Sequence, residues 1–203
     1  MASWRLTADR SLWSRLGTGG VVFFYAAMVL LLASCASRPN LPTLGDVPPF
    51  TLTDQNGAVF ESASKLKEQV WVADFMFTTC PGPCPLMSSQ MHQVQKALEG
   101  EGIRLVSFTV DPEHDTPAVL LEYGQRFKAS PGVWHFLTGS ATDLNRLSKD
   151  VFKLGVVDGQ LEHSTRFVLV DRHSQIRGYY ATSEPDAIAR VIEDARALLK
   201  DRS

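Results

Sequence analysis

The stretch Cys80-Pro81-Gly82-Pro83-Cys84-Pro85 constrains folding more than any other in this 203-residue chain. Before it lies Val70 to Phe77, rich in aromatic and β-branched residues, which reads as a buried strand. After it, Met87, Met91, Val94 and Leu98 recur at helical spacing within Leu86 to Leu98. A proline inside a helix removes a hydrogen bond and clashes with the preceding turn. In the first turn, however, the backbone N–H has no intrahelical partner to lose. Pro83 and Pro85 therefore predict a helix that starts at the cysteines, directly after a buried strand.

The rest of the chain alternates in the same way. Thr51 to Thr53 reads as a short strand followed by the turn Asp54-Gln55-Asn56-Gly57, because Asn-Gly tolerates the positive φ of a tight hairpin. A strand is expected at Arg104 to Val110 and a helix from Pro117 to Phe127, with Thr116 as N-cap. Val133 to Leu137 is the next expected strand and Thr142 to Phe152 the next helix. Strands at Arg166 to Val170 and Gln175 to Tyr180 form a hairpin through Asp171 to Ser174. A last helix, Pro185 to Lys200, carries Ile188, Val191, Ile192, Ala195 and Leu199 on one side. Strands alternating with helices, then a hairpin and a closing helix, predict an α/β domain with a mixed central sheet and helices on both faces. That order fits a thioredoxin-like fold.

The N-terminus is excluded from the fold. Arg5, Arg10 and Arg15 precede Val21 to Ala33, 13 uninterrupted apolar residues ending in Leu32-Ala33-Ser34-Cys35. A spanning helix needs about 20 residues, so the run has the length of a signal-peptide core. The tetrapeptide resembles the lipobox of bacterial lipoproteins, in which the cysteine is acylated. An uncleaved anchor helix over Gly17 to Ala36 is the alternative. Ala36 to Pro49, with four prolines, reads as extended. The expected organisation is a leader over 1–34, a linker over 35–47 and a domain over 48–203, exported and held at a membrane on the periplasmic side. Loss of 1–34 removes three arginines and Asp9, leaving 17 basic and 21 acidic residues. A mildly acidic domain without basic clusters excludes nucleic acid as a partner.

The chemistry gathers around Cys80 and Cys84. Residues four apart in a helical turn share a side, so both sulfurs can reach one atom. The positive helix end favours thiolate, and thiolates select Cu(I) over harder ions. A redox pair has equal weight on spacing alone. An inert staple has less, since structural disulfides gain most by closing long loops. Of five histidines, His92, His114, His135 and His173 have ordinary surroundings. His163 occupies a loop before the strand at Phe167, which in a thioredoxin-like sheet abuts the start of the active-site helix. Asp74, inside Val72 to Phe77, is costly if buried unless paired or protonated. It either faces solvent at an edge or moves protons for the cysteines, as an acid six residues upstream does in thioredoxins.

Phe77-Thr78-Thr79-Cys80-Pro81-Gly82-Pro83-Cys84-Pro85 resembles the signature of the Sco/SenC copper chaperones. The likeness continues through Phe50 to Gly57, Val110-Asp111-Pro112 with Asp115-Thr116-Pro117, His163-Ser164-Thr165 and Ile176 to Tyr180, spanning about residues 47 to 200. The resemblance implies a domain that binds one copper, as Cu(I) and also as Cu(II), through Cys80, Cys84 and His163. It also implies a disulfide between Cys80 and Cys84 on oxidation. Members help assemble the dinuclear copper centre of cytochrome c oxidase, so its copper-receiving subunit is the expected client. Two features depart from a typical member: a lipidated Cys35 in place of an uncleaved helix, and Glu162 where an Asp commonly precedes the His. Two alternatives stay open. One is a thiol-disulfide oxidoreductase using Cys80, Cys84 and Asp74 to keep client cysteines reduced, and the other is a copper-sequestering protein without a client.

Overall fold

The computed structural model describes residues 41–154 and 165–201. At the centre is β4 (Trp71–Met76), whose six side chains are all buried. It pairs in parallel with β5 (Arg104–Thr109), which pairs in parallel with β6 (Trp134–Thr138). On its other side, β7 (Arg166–Val170) runs antiparallel and forms a hairpin with β8 (Gln175–Ala181). The hairpin β2 (Thr51–Asp54) and β3 (Val59–Glu61) extends the sheet from β6, and β1 (Gly45–Asp46) closes the far edge on β8. The order is β1-β8-β7-β4-β5-β6-β2-β3, a mixed sheet of eight strands.

Between the strands lie α1 (Ser62–Lys65), α2 (Cys84–Ala97), α3 (Pro117–Arg126), α4 (Ala141–Asn145) and α5 (Ala187–Lys200). The parallel crossovers β4-α2-β5 and β5-α3-β6 step the same way across the sheet. With right-handed connections this puts α2 and α3 on one face. There Ser88 of α2 meets Tyr123 of α3 through hydroxyls 2.9 Å apart, and α5 packs beside α2. The return from β6 to β7 crosses the opposite face, where Phe152 meets Trp71, Phe75 and Phe108 with ring centroids 5.5 to 6.0 Å apart.

Most element boundaries fall within two residues of those expected. Thr116 caps α3 by accepting from the Val119 N–H, and Gly57 takes φ +77 in the hairpin turn. The expected helix over Thr142 to Phe152 is different. After α4 the chain widens into a π-helical turn, Arg146–Val151, in which the Phe152 N–H donates to Leu147, five residues back. This wider step seats Phe152 in the core while Val151 stays half-buried. The short elements β1, β3 and α1 were not expected. β1 is held by partners remote in sequence. Arg177 donates to the carbonyls of Leu41 (2.5 Å) and Pro42 (3.1 Å) and pairs with the buried Asp171 at 2.7 Å.

Truncating Phe152 to Ala leaves a void against three aromatic rings, and such changes cost about 3–5 kcal/mol. Urea denaturation of the reduced protein should show a loss of that size. A loss below about 1 kcal/mol would mean the ring does not fill the core as described.

Candidate functional site

β4 ends at Met76, and the next residues turn across the end of the sheet. The Cys80 N–H donates to the Phe77 carbonyl at 3.3 Å, and Pro81-Gly82-Pro83 lead into α2, whose first residue is Cys84. Pro85 falls in the first turn, where its missing N–H costs nothing. Cys80 therefore precedes the helix. A bent loop, not a helical turn, brings the sulfurs together.

Both thiols are uncrosslinked, with Cys80 5% exposed and Cys84 fully buried. Burial pushes the Cys84 thiol up to about 12, against a backbone hydrogen bond with Phe77 that opposes the shift. A hydrogen bond and charge coupling with Cys80, and the nearby Asp74, add to the rise. Here the expectation from helix polarity is overturned for Cys84. The dipole favours thiolate, but exclusion of water outweighs it.

Asp74 is fully buried in the central strand, which excludes the solvent-facing edge position. Neither carboxylate oxygen has a hydrogen-bond partner of good geometry, and burial raises the group to about 7. Ser107, opposite it in the β4–β5 register, opposes the rise. The Ser107 hydroxyl accepts from the Trp134 indole N–H at 2.9 Å, which leaves its own hydrogen for Asp74, but desolvation outweighs it. On the same face Tyr123 is also shifted upward by burial.

A second buried carboxylate, Asp115, is amply partnered. It accepts from the Thr78 N–H at 3.2 and 3.4 Å and from the Thr78 and Thr109 hydroxyls, each at 2.5 Å. In the sequence Asp115 stands out only as part of the Asp115-Thr116-Pro117 motif. Its partners stand 37 and 6 residues away, so only the fold reveals the cluster.

Among the described residues, no three His, Cys, Asp or Glu side chains converge as a metal-binding group. His163 and Cys35 lie outside the described residues. His114 and His173 are exposed, and His92 and His135 are half-buried. The hairpin β7–β8 nevertheless meets the cysteine helix at the site's end of the sheet. Thr182 donates through its N–H and hydroxyl to the Thr165 carbonyl at 2.8 and 2.9 Å, and Gln90 of α2 donates to the Thr182 carbonyl at 3.1 Å. Two adjacent thiols in a dry site suit either a soft cation or reversible disulfide formation.

The buried Asp74 makes stability pH-dependent. Its folded value, about 7, exceeds the 3.8 of an ordinary aspartate. The folded state therefore holds the proton more tightly, and stability falls as pH rises between these values. The full window is worth roughly 4 kcal/mol. Asp74→Asn should flatten this decline in urea titrations of reduced, metal-free protein. An unchanged slope would contradict the burial account.

The SCO1/SenC family model matches residues 43–200. The chain is similar to a SCO1/SenC family lipoprotein from Bacillus anthracis str. Ames, with 36% identity, TM-score 0.70 and coverage of 77% of this chain and 96% of that one. It is similar to BsSco, described as a member of the Sco family of cytochrome c oxidase assembly proteins with a disulfide switch. That match has 33% identity, TM-score 0.70 and coverage of 78% and 96%. Yeast Sco1 with copper bound matches at 25% identity and TM-score 0.60, covering 75% of this chain and 92% of its own. A site of paired thiols at a strand-to-helix joint, on a thioredoxin-like sheet matched over nearly its whole length, places this chain in the SCO1/SenC family.

Proposed function

We propose that this protein is an exported, lipid-tethered copper chaperone that serves assembly of the dinuclear copper centre of cytochrome c oxidase. Copper is its cargo. Cys80 and Cys84 supply two sulfurs, and His163 supplies a nitrogen. The observation that carries this reading is the pair of uncrosslinked, adjacent thiols at the start of α2, closed off from water. Soft thiolates hold Cu(I), and a dry site slows both hydrolysis and oxidation of the bound ion.

The choice of His163 as the nitrogen ligand rests on the sequence and on the attachment of the neighbouring chain. Thr165, two residues later, is tied through Thr182 to Gln90 on the cysteine helix. The tether rests on the apolar run Val21 to Ala33 and on Cys35. Among the described residues no helix is long and apolar enough to cross a membrane. The likeness to a lipoprotein and to a copper-bound relative supports the same reading. The client, the copper-receiving oxidase subunit, would take the ion by ligand exchange, its own cysteines replacing Cys80 and Cys84 one at a time.

A second reading is favoured by Asp74. A buried carboxyl raised to about 7 beside a high-lying thiol is suited to take up the Cys84 proton as the pair reacts with a client disulfide. In that case Cys80 attacks, one client sulfur leaves as thiol, and Cys84 displaces the second while the Cys80–Cys84 disulfide forms. The client is reduced by the two electrons that the pair loses.

Competition with a chromophoric Cu(I) chelator separates the two. The chaperone reading predicts one Cu(I) per chain and loss of binding in Cys80→Ser and Cys84→Ser. It also predicts altered affinity and spectrum in His163→Ala, and release of the Cys84 proton on binding at pH 7. Unchanged binding by His163→Ala would remove the nitrogen ligand. Absence of Cu(I) binding, together with a mixed disulfide trapped on the client by Cys84→Ser, would favour the redox reading.

A further inference from the structure

We propose that Asp115 is a positioning residue for the cysteine loop, locking Thr78 to the end of β5 so that Cys80 and Cys84 are held side by side. The site it positions is that of the preceding reading. The coupling of Asp115 to the thiols, however, holds whether they carry copper or electrons.

Asp115 is fully buried, and none of the ion pairs among the described residues includes it. Its partners are all donors. Oδ1 accepts from the Thr78 hydroxyl at 2.5 Å and, more weakly, from the Thr78 N–H at 3.4 Å. Oδ2 accepts from the same N–H at 3.2 Å and from the Thr109 hydroxyl at 2.5 Å. The proton direction is fixed, because the Thr109 oxygen itself accepts from the Asp111 N–H at 2.9 Å, leaving its hydrogen for Asp115. A chain of polarised bonds thus runs from Asp111 through Thr109 and Asp115 to Thr78.

Each member belongs to a different part of the fold. Thr109 is the last residue of β5, paired with Met76 at the end of β4. Asp115 is presented by a turn in which its N–H donates to the Asp111 carbonyl at 2.8 Å, and it directly precedes Thr116, the N-cap of α3. Thr78 stands two residues before Cys80, beyond the last strand residue, where no ladder hydrogen bond holds the backbone. Asp115 supplies what the sheet no longer does at that point. With Thr78 fixed, the Cys80 N–H reaches the Phe77 carbonyl and the loop closes onto α2. An amide in place of the carboxylate sets an NH2 against an N–H or hydroxyl donor, so at least one of these bonds is lost. Such a loss is expensive in a buried site.

The test uses the full chain, reduced, with Asp115→Asn, Thr78→Val and Thr78→Ser. Four quantities are measured: the iodoacetamide alkylation rate of the cysteine pair, the Cu(I) affinity, the equilibrium of the pair with a glutathione buffer, and Tm. Asp115→Asn and Thr78→Val should each raise the alkylation rate and lower the Cu(I) affinity by about tenfold, the equivalent of about 1.4 kcal/mol. Each should also shift the glutathione equilibrium. Thr78→Ser, which keeps the hydroxyl, should stay within about twofold of the parent. A lower Tm with unchanged alkylation, affinity and equilibrium would overturn the proposal, leaving Asp115 a stabilising residue only. Should Asp115→Asn fail to fold, the contrast between Thr78→Val and Thr78→Ser decides. If the parent binds no Cu(I), the chaperone reading fails, while alkylation and glutathione equilibrium still decide the role of Asp115.

Discussion

Removal of water from two sulfur atoms at the head of one helix is the constraint on which the site depends. Pro83 and Pro85 fix where α2 starts, and β4 delivers the chain to that point from the middle of the sheet. Cys84 is fully buried as a result, and its thiol is pushed up to about 12. A thiol so disposed is a poor nucleophile at neutral pH and resists casual oxidation. It yields its proton only to something that repays the loss, such as a soft cation bound directly or a base beside it. The same burial therefore protects the pair and selects what can react with it.

Two carboxyl groups share this end of the sheet and meet burial in opposite ways. Asp74 has no well-placed donors, so the cost of desolvation falls on its charged form and the group rises to about 7. Asp115 is equally buried but collects donors from Thr78 and Thr109, and the result is a fastening between loop and sheet. One residue type thus stands without a well-placed partner in one place and acts as a structural clasp in the other. The difference lies in what the neighbouring strands present.

Much of this was legible in the sequence because it follows local rules. Prolines at 83 and 85 located the helix start, alternation of strands and helices gave the mixed sheet, and the Sco/SenC-like signature pointed to the family. What escaped depends on contacts across the fold. β1 exists because Arg177, more than 130 residues away, ties Leu41 and Pro42 to the sheet edge. The π turn at Arg146–Val151 follows from the need to seat Phe152 against Trp71, Phe75 and Phe108. The cysteine ionisation was misjudged because helix polarity is visible in a sequence and dielectric surroundings are not. Asp74 was undecided for the same reason, since an acid in an apolar run fits an edge strand as well as a central one.

The central claim is a copper held by two sulfurs of this chain and one imidazole nitrogen. X-ray absorption spectroscopy at the copper edge of the Cu(I)-loaded full-length protein tests it most directly. The account predicts a first shell of two sulfur scatterers and one nitrogen, with the nitrogen lost or replaced in His163→Ala. A shell without sulfur, or one that is the same in the parent and in His163→Ala, would contradict it.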